Sequence, residues 1–496
     1  MLPSRVVILT TLLAIAGCGS ESDPDPVASC PAPISGGNDV LSTSFQLNPH
    51  GTAPLVAKAT VVTRAPARLD WQLSGKDGMP SDVHRTTTEC ATQHEFDILG
   101  LYPGYANRIR LQVMNDGQVT GNAVFQIQTD PLPPGMPTFR IDKQYSDFEP
   151  AFFLLDLRPT NLPLIVDRYG QIRWYLTDTD TKYGLQIFRD GNIGWGDSNR
   201  SSVVEYTRLG EFVHEWSVQP DYYDVHHDVY EKPDGNFLVT VNKTGLDTIE
   251  DFIIELDRQS GAIVRTWDLR QILPKRPTFI HDDRDWFHAN AVIFDERDNS
   301  LIISGQRQGL VKVTNSNELR WILSPPEGWA GYEDYRLNPI PSPDFDWTWG
   351  QHAPLLMPDG DLVVFDNGLG RDYGRAAKYS RIVRYRVSES AQKGGTVQQI
   401  WQYGKERGET LYSSFISDVD YLPASDSFLM TAGSIGYDVT YVSPDQTILS
   451  LRGIPDAARI IDVDSAGEVR FETTVLSDLQ GASVYRSEKV DLYGND

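Results

Sequence analysis

Basic residues are scarce in this chain of 496: 44 Lys and Arg stand against 68 Asp and Glu, a formal charge of −24. That balance argues against nucleic acid or an anionic membrane surface as the main partner, and it requires any anionic ligand to be held by a local positive cluster. Cysteine is scarcer still, with Cys18, Cys30 and Cys90 alone. None has the partner spacing of a zinc site, and the chain beyond Cys90 must fold without disulfides. Long apolar runs are missing too: Val6–Ala16 is too short to span a bilayer permanently. What is present is ordinary globular composition, 40% hydrophobic and 23% charged, which excludes wholesale disorder and fits one or two domains. The 40 Gly, 31 Pro, 22 Tyr, 19 Phe and 11 Trp suit a turn-rich, strand-rich protein better than a helical bundle.

Arg5 followed by the apolar run reads as a signal peptide over residues 1–17. Its ending, Ile15-Ala16-Gly17-Cys18, resembles a bacterial lipobox. That implies a lipidated Cys18 and an exported lipoprotein, periplasmic or at the cell surface, touching membrane only through this anchor. An ordinary signal peptide with an incidental cysteine is the alternative. Lipidation leaves Cys30 and Cys90 as an even pair, expected to join in an oxidising compartment, with two unpaired thiols as the alternative. Residues 18–30 are polar and Pro-rich, the composition of a flexible tether.

From 31 to 132, alternating segments such as LVAKATVVT, RLDWQL and ANRIRLQVM are separated by Gly, Asn, Asp and Pro. They predict a small immunoglobulin- or fibronectin-like β-sandwich, closed by the stiff PLPPGMP stretch. Beyond it one pattern recurs six times: a β run, a polar turn, then a β run ending near an aromatic, at Trp174, Trp216, Trp267, Trp321, Trp401 and Phe471. A second hairpin with an Asp-Gly type turn lies between these copies, as in HDVYEKPDGNFLVTV and HAPLLMPDGDLVVFD. Two hairpins per unit make four strands, and six units make a six-bladed β-propeller over 138–496, all-β throughout. Its last blade is expected to be completed by residues 478–492 or by strands near 150.

The second hairpins align on their turns. His227 precedes Gly235, and His352 precedes Gly360, by the same interval; His288 starts the matching strand of its own copy, and Tyr183 and Asp418 fall near the same place in others. Innermost strands line the axis of a propeller, so these side chains are expected to converge. Strand alternation favours His227 over His226 as the axial residue. Arg307 follows His288 at the end of LIISGQRQG, where a guanidinium can bind a tetrahedral oxyanion through several donors. Asn290 shares a strand face with His288 and would either orient substrate or cap an internal hydrogen-bond network. Structural packing of the histidines, or a metal held by His227, Asp228, His288 and His352, are the competing readings.

Taken together, VDRYGQIRWYL, VHHDVYEKPDGN, DWFHANAVIFDERDNSLIISGQRQG, GQHAPLLMPDGDLVVFDNG, YSRIVRYRV and IWQYGKERG resemble the bacterial arylsulfotransferases, which use no nucleotide sulfate donor. The resemblance implies a cofactor-free, exported enzyme moving a sulfuryl group from an aryl sulfate to a phenol by a ping-pong route, and it raises a homodimer. By motif, His352 of QHAP would be the transiently sulfated nucleophile, with His227, His288, Asn290 and Arg307 around the sulfuryl group and Tyr183 nearby. The closely spaced cysteine pair near the active site of some enterobacterial members is absent. A non-catalytic surface propeller binding a glycan or protein is the second functional reading.

Overall fold

The computed structural model describes Cys30 and residues 39–80, 83–145, 152–158, 160–177, 179, 183–275, 282–374, 376–436, 438–440, 450–452, 457–478 and 482–494. The signal peptide, Cys18 and the tether before Cys30 lie outside the described residues.

The N-terminal module forms because its strands alternate: Ala106–Asn115 buries every second side chain, and so does most of the 17-residue strand Ala57–Leu73. The long strand serves two sheets. Its first half pairs with Val40–Leu47 and Ala91–Ile98, and its second half with Val83–Thr86 and Ala106–Asn115, which is joined in turn by Gln118–Gln128. Val61, Leu69, Trp71, Ile98 and Ile109 fill the space between them. Cys30 and Cys90 are joined by a disulfide across a separation of 60 residues.

Among the described residues six further sheets of four or five strands follow, each a blade, antiparallel apart from one short parallel edge strand, Leu337–Pro339; Asp438–Thr440 and Ser450–Arg452 pair as a separate two-stranded ribbon. Their near-continuous apolar runs reflect burial on both faces between neighbouring blades. The innermost strands are Ser483–Val490 in blade 1, Tyr183–Ile187 in blade 2, Val229–Glu231 in blade 3, Ala289–Asp295 in blade 4, His352–Leu356 in blade 5 and Asp418–Leu422 in blade 6. Each touches the next, and the sixth touches the first, so the ring closes. The inner hairpins share one turn, in which Gly235 and Gly360 both stand at φ 89°, a conformation that side chains disfavour. The outer hairpins cement the blades: the indoles of Trp174, Trp216 and Trp267 donate to carbonyls of Arg208, Arg258 and Thr314 in the following blade, at 2.7–2.9 Å.

Closure differs from the sequence-based expectation. Blade 6 supplies four strands of its own and takes Thr138–Gln144 as a fifth at its outer edge, whereas blade 1 lacks an inner strand and borrows Ser483–Val490. The first repeat in the sequence has only one complete hairpin, so the gap falls there. Arg173, 1% exposed, ties blade 1 to the sandwich: it donates to the Gly100 carbonyl (2.6 and 2.8 Å) and to Asp167 (2.8 Å), and lies over the Tyr102 ring.

Candidate active site

The histidines are placed by an irregularity repeated at the start of the inner strands. His227 (φ 56°), His288 (φ 59°) and Ala353 (φ 48°), next to His352, have left-handed backbone, and register shifts occur at this point in blades 4 and 5. Such φ values are costly outside glycine and persist where the surroundings enforce them. The strand pleat is interrupted there, which is why simple alternation does not carry through the site.

One cluster results. The His227 ring lies 4.8 Å from that of His288 and 5.0 Å from that of Tyr183, centroid to centroid. Tyr485, on the C-terminal strand, completes the group at 6.1 Å from His352, 6.2 Å from His227 and 5.6 Å from Tyr183. The Arg158 guanidinium covers the Tyr183 ring at 4.9 Å. His226 meets His227 with the two Nδ1 atoms 2.9 Å apart, while it is His227 whose ring reaches Tyr183, His288 and Tyr485.

Arg307, just beyond the strand Ser300–Gly305, joins through Asp285. Asp285 Oδ2 lies 2.8 Å from His288 Nδ1 and 2.6 Å from an Arg307 Nη, and Arg307 also donates to the Asp285 carbonyl. Glu250 Oε2 approaches the same His288 nitrogen at 2.6 Å. Burial lowers the basicity of His288, but the Glu250 charge and the bonds to Asp285 and Glu250 outweigh it and lift the pKa to about 9. His288 is therefore an imidazolium at neutral pH, with Nε2–H directed away from the carboxylates.

His352 is the opposite case. Burial pushes its pKa down to about 3, with the Asn367 hydrogen bond opposing and the His288 charge adding to the depression. Its Nδ1 faces two acceptors, Asn367 Oδ1 at 2.8 Å and the Gly350 carbonyl at 3.1 Å. The orientation of Asn367 is not ambiguous, because its amide nitrogen donates to the carbonyls of Ser413 and Ile416, both at 2.8 Å. Nδ1 thus carries the proton, and Nε2 keeps a lone pair on an uncharged ring. Burial also holds His227 well below the ordinary imidazole value, against the Glu250 charge.

Asn290 does not share the placement of His288. Its amide nitrogen donates to the Gln351 carbonyl (2.8 Å), which Ser304 also bonds (3.1 Å), so it holds the residue before His352 against blade 4. Its Oδ1 is buried and has no hydrogen-bond partner among the described residues. Arg486, from the C-terminal strand, pairs with Asp228 (3.0 Å) and Asp418 (3.7 Å).

Two donor sets here are close enough for a metal ion: His226, His227 and Glu250, and Glu250, Asp285 and His288, with ligand atoms within 4.8 Å of one another in each. In the first, one of the facing Nδ1 atoms must carry a proton. In the second, the carboxylates are matched by the His288 imidazolium and by Arg307.

Sequence reasoning missed Glu250, Asp285, Asn367, Tyr485 and Arg486. Asp285 stands three residues before His288 in DRDWFHAN, a detectable signal; Glu250 comes from a loop with no motif.

The arylsulfotransferase (ASST) family profile matches residues 138–486, and that of the arylsulfotransferase Ig-like domain matches residues 44–130. Relatives named arylsulfate sulfotransferase AssT, from Escherichia coli O6:H1 and from Lelliottia amnigena, are each 26% identical over 89% of this chain and 91% of theirs. Solved structures are more distant. A Bacteroides caccae protein of unknown function is 11% identical with a TM-score of 0.41, over 69% of this chain and 99% of that one. Virginiamycin B lyase from Staphylococcus aureus is 12% identical with a TM-score of 0.33, over the same shares. Those two bear no weight in the assignment, which rests on the profile match across both parts of the chain: this protein belongs to the arylsulfotransferase family, a family of transferases.

Proposed function

We propose that the protein is an exported aryl-sulfate sulfotransferase that passes a sulfuryl group from an aryl sulfate to a phenol through a sulfated His352. The observation that carries this reading is geometric: acceptors at His352 Nδ1 leave its Nε2 with the lone pair, in one hub with His288, held by two carboxylates, and the Arg307 guanidinium. The lone pair attacks sulfur and the aryl oxygen departs, its conjugate acid having a pKa of about 10. Arg307 and His288 offer N–H donors to the sulfuryl oxygens, their own charges being matched by Asp285 and Glu250. His227 and Tyr183 stand beside them in the hub, and Asn290 steadies the Gln351 carbonyl next to His352. The names of the relatives support the substrate class. The lipobox-like Cys18 supports anchoring at the cell envelope, and the homodimer the resemblance raises is to be read from light scattering.

Intact mass spectrometry after brief mixing with p-nitrophenyl sulfate tests the reaction class. One added SO3 on the peptide containing His352, absent in His352→Asn, is the expected result. An unmodified peptide with undiminished nitrophenol release in the variant rejects the assignment.

A further inference from the structure

Glu250 enters the transfer chemistry only through His288, and its loop is fixed by specific contacts. It lies between strands in left-handed backbone (φ 58°). Three bonds fix its loop: Ile249 N–H donates to the Arg284 carbonyl (3.0 Å), Ala289 N–H to the Glu250 carbonyl (2.9 Å), and Glu250 N–H to Asn242 Oδ1 (2.7 Å). Two of these reach the segment carrying His288. His227 and His288 have the same left-handed backbone. What the loop delivers is one carboxylate, 14% exposed, 2.6 Å from His288 Nδ1.

Asp285 already bonds that nitrogen, but it is shared with Arg307, which neutralises it. Glu250 pairs with no guanidinium or ammonium among the described residues, so its charge is available to the imidazole. We propose that Glu250 is a positioning residue that keeps His288 protonated on both nitrogens in the resting enzyme, so that His288 gives a proton to the departing aryl oxygen and regains one from the acceptor phenol. This rests on the sulfuryl-transfer reading above.

The step balances. His352 Nε2 forms the N–S bond; the S–O bond to the aryl group breaks, its electron pair stays on the aryl oxygen, and the His288 Nε2 proton converts that oxygen to a phenol. In the return half, the acceptor's O–H proton passes to His288 Nε2, its oxygen bonds sulfur, and the N–S pair returns to His352. A His288 pKa of about 9 lies close to that of a phenol, so the proton moves in either direction without a steep cost. The other titratable or charged groups around His288 are Asp285, backed by Asp282 and Arg307; His226, His227 and Asp228 from blade 3; His352 from blade 5; and Arg486 from the C-terminal strand.

The test is Glu250→Gln in the full chain, combining a 15N-histidine NMR titration of His288 with kcat/KM against pH for nitrophenyl and phenyl sulfate. The His288 midpoint and the alkaline limb of activity are expected to fall together by about 1 to 3 pH units. The loss should be greater for phenyl sulfate, the poorer leaving group, and Glu250→Asp should restore part of it. A limb and a midpoint that stay in place overturn the role of Glu250. A wild-type chain without sulfotransfer would instead defeat the functional reading, while the NMR midpoint would still decide the Glu250–His288 link. If Glu250→Gln does not fold, the wild-type midpoint decides: a value below about 7, the ordinary histidine range, overturns the proposal.

Discussion

His352 Nδ1 stands 2.8 Å from Asn367 Oδ1, and Asn367 is itself pinned by the carbonyls of Ser413 and Ile416 at the junction with blade 6. An uncharged amide, not a carboxylate, fixes the tautomer of the candidate nucleophile. It orients the ring and raises its basicity by less than burial lowers it, so the lone pair survives beside two cations.

Asn367→Leu should therefore leave the fold in place and lower kcat by up to about 10⁴-fold, the scale of tautomer loss in a catalytic triad. Asn367→Asp should raise the His352 pKa and move the acid limb of activity upward. Steady-state rates against pH for both variants check this. An unchanged acid limb in Asn367→Asp would show that Asn367 does not set the state of His352.

In the wild-type protein the acid limb belongs to His352 and the alkaline limb to His288. With pKa values of about 3 and about 9, kcat/KM for an aryl sulfate should hold steady through neutrality. It should fall at high pH as His288 loses its proton, and at low pH only when His352 gains one. A rate that already halves near the ordinary histidine value of 6.5 on the acid side would contradict the assignment.

Arg307→Lys keeps a positive charge but loses the planar fork that holds Asp285. A fall in kcat of about 10²- to 10³-fold is expected, comparable to deletion of an oxyanion-hole donor, with the sulfated peptide still forming slowly. Single-turnover mixing followed by mass spectrometry separates that outcome from loss of binding.

Arg173→Met addresses stability rather than chemistry. The variant strands Asp167 as a buried, unpaired carboxylate and removes the contact with Gly100 and Tyr102. Denaturant unfolding should show a loss of about 3 to 5 kcal/mol. A loss within error would mean that the sandwich and blade 1 are held mainly by their apolar contacts.

The Cys30–Cys90 bridge lies wholly in the N-terminal module. Replacing both residues with Ser should cost that module about 2 to 5 kcal/mol and leave sulfotransfer per folded molecule unchanged. Thermal unfolding with an activity assay across the transition resolves the two effects.

Much of this architecture was legible before the structure because two periodicities are written plainly into the chain. Strand alternation in ANRIRLQVM and the repeated Asp-Gly turns give the sandwich and the blades. Turn alignment brings His227, His288 and His352 into register. Alternation fails where the backbone turns left-handed: Asn290 was expected on the face of His288 and instead reaches across to Gln351. Glu250 escapes for another reason, since its loop acquires meaning only when Ala289 and Arg284 are folded against it. Tyr485 and Arg486 lie outside the repeats, on the strand that fills the gap in blade 1.

That borrowed strand also makes the hub and the ring one unit. Tyr485 and Arg486 stand beside His227 and His352 and between Asp228 and Asp418, on the strand that supplies the inner edge of blade 1. Blade 1 therefore reaches the histidines only through a segment that follows blade 6 in the chain, and the same pairing that seals the propeller furnishes two walls of its centre.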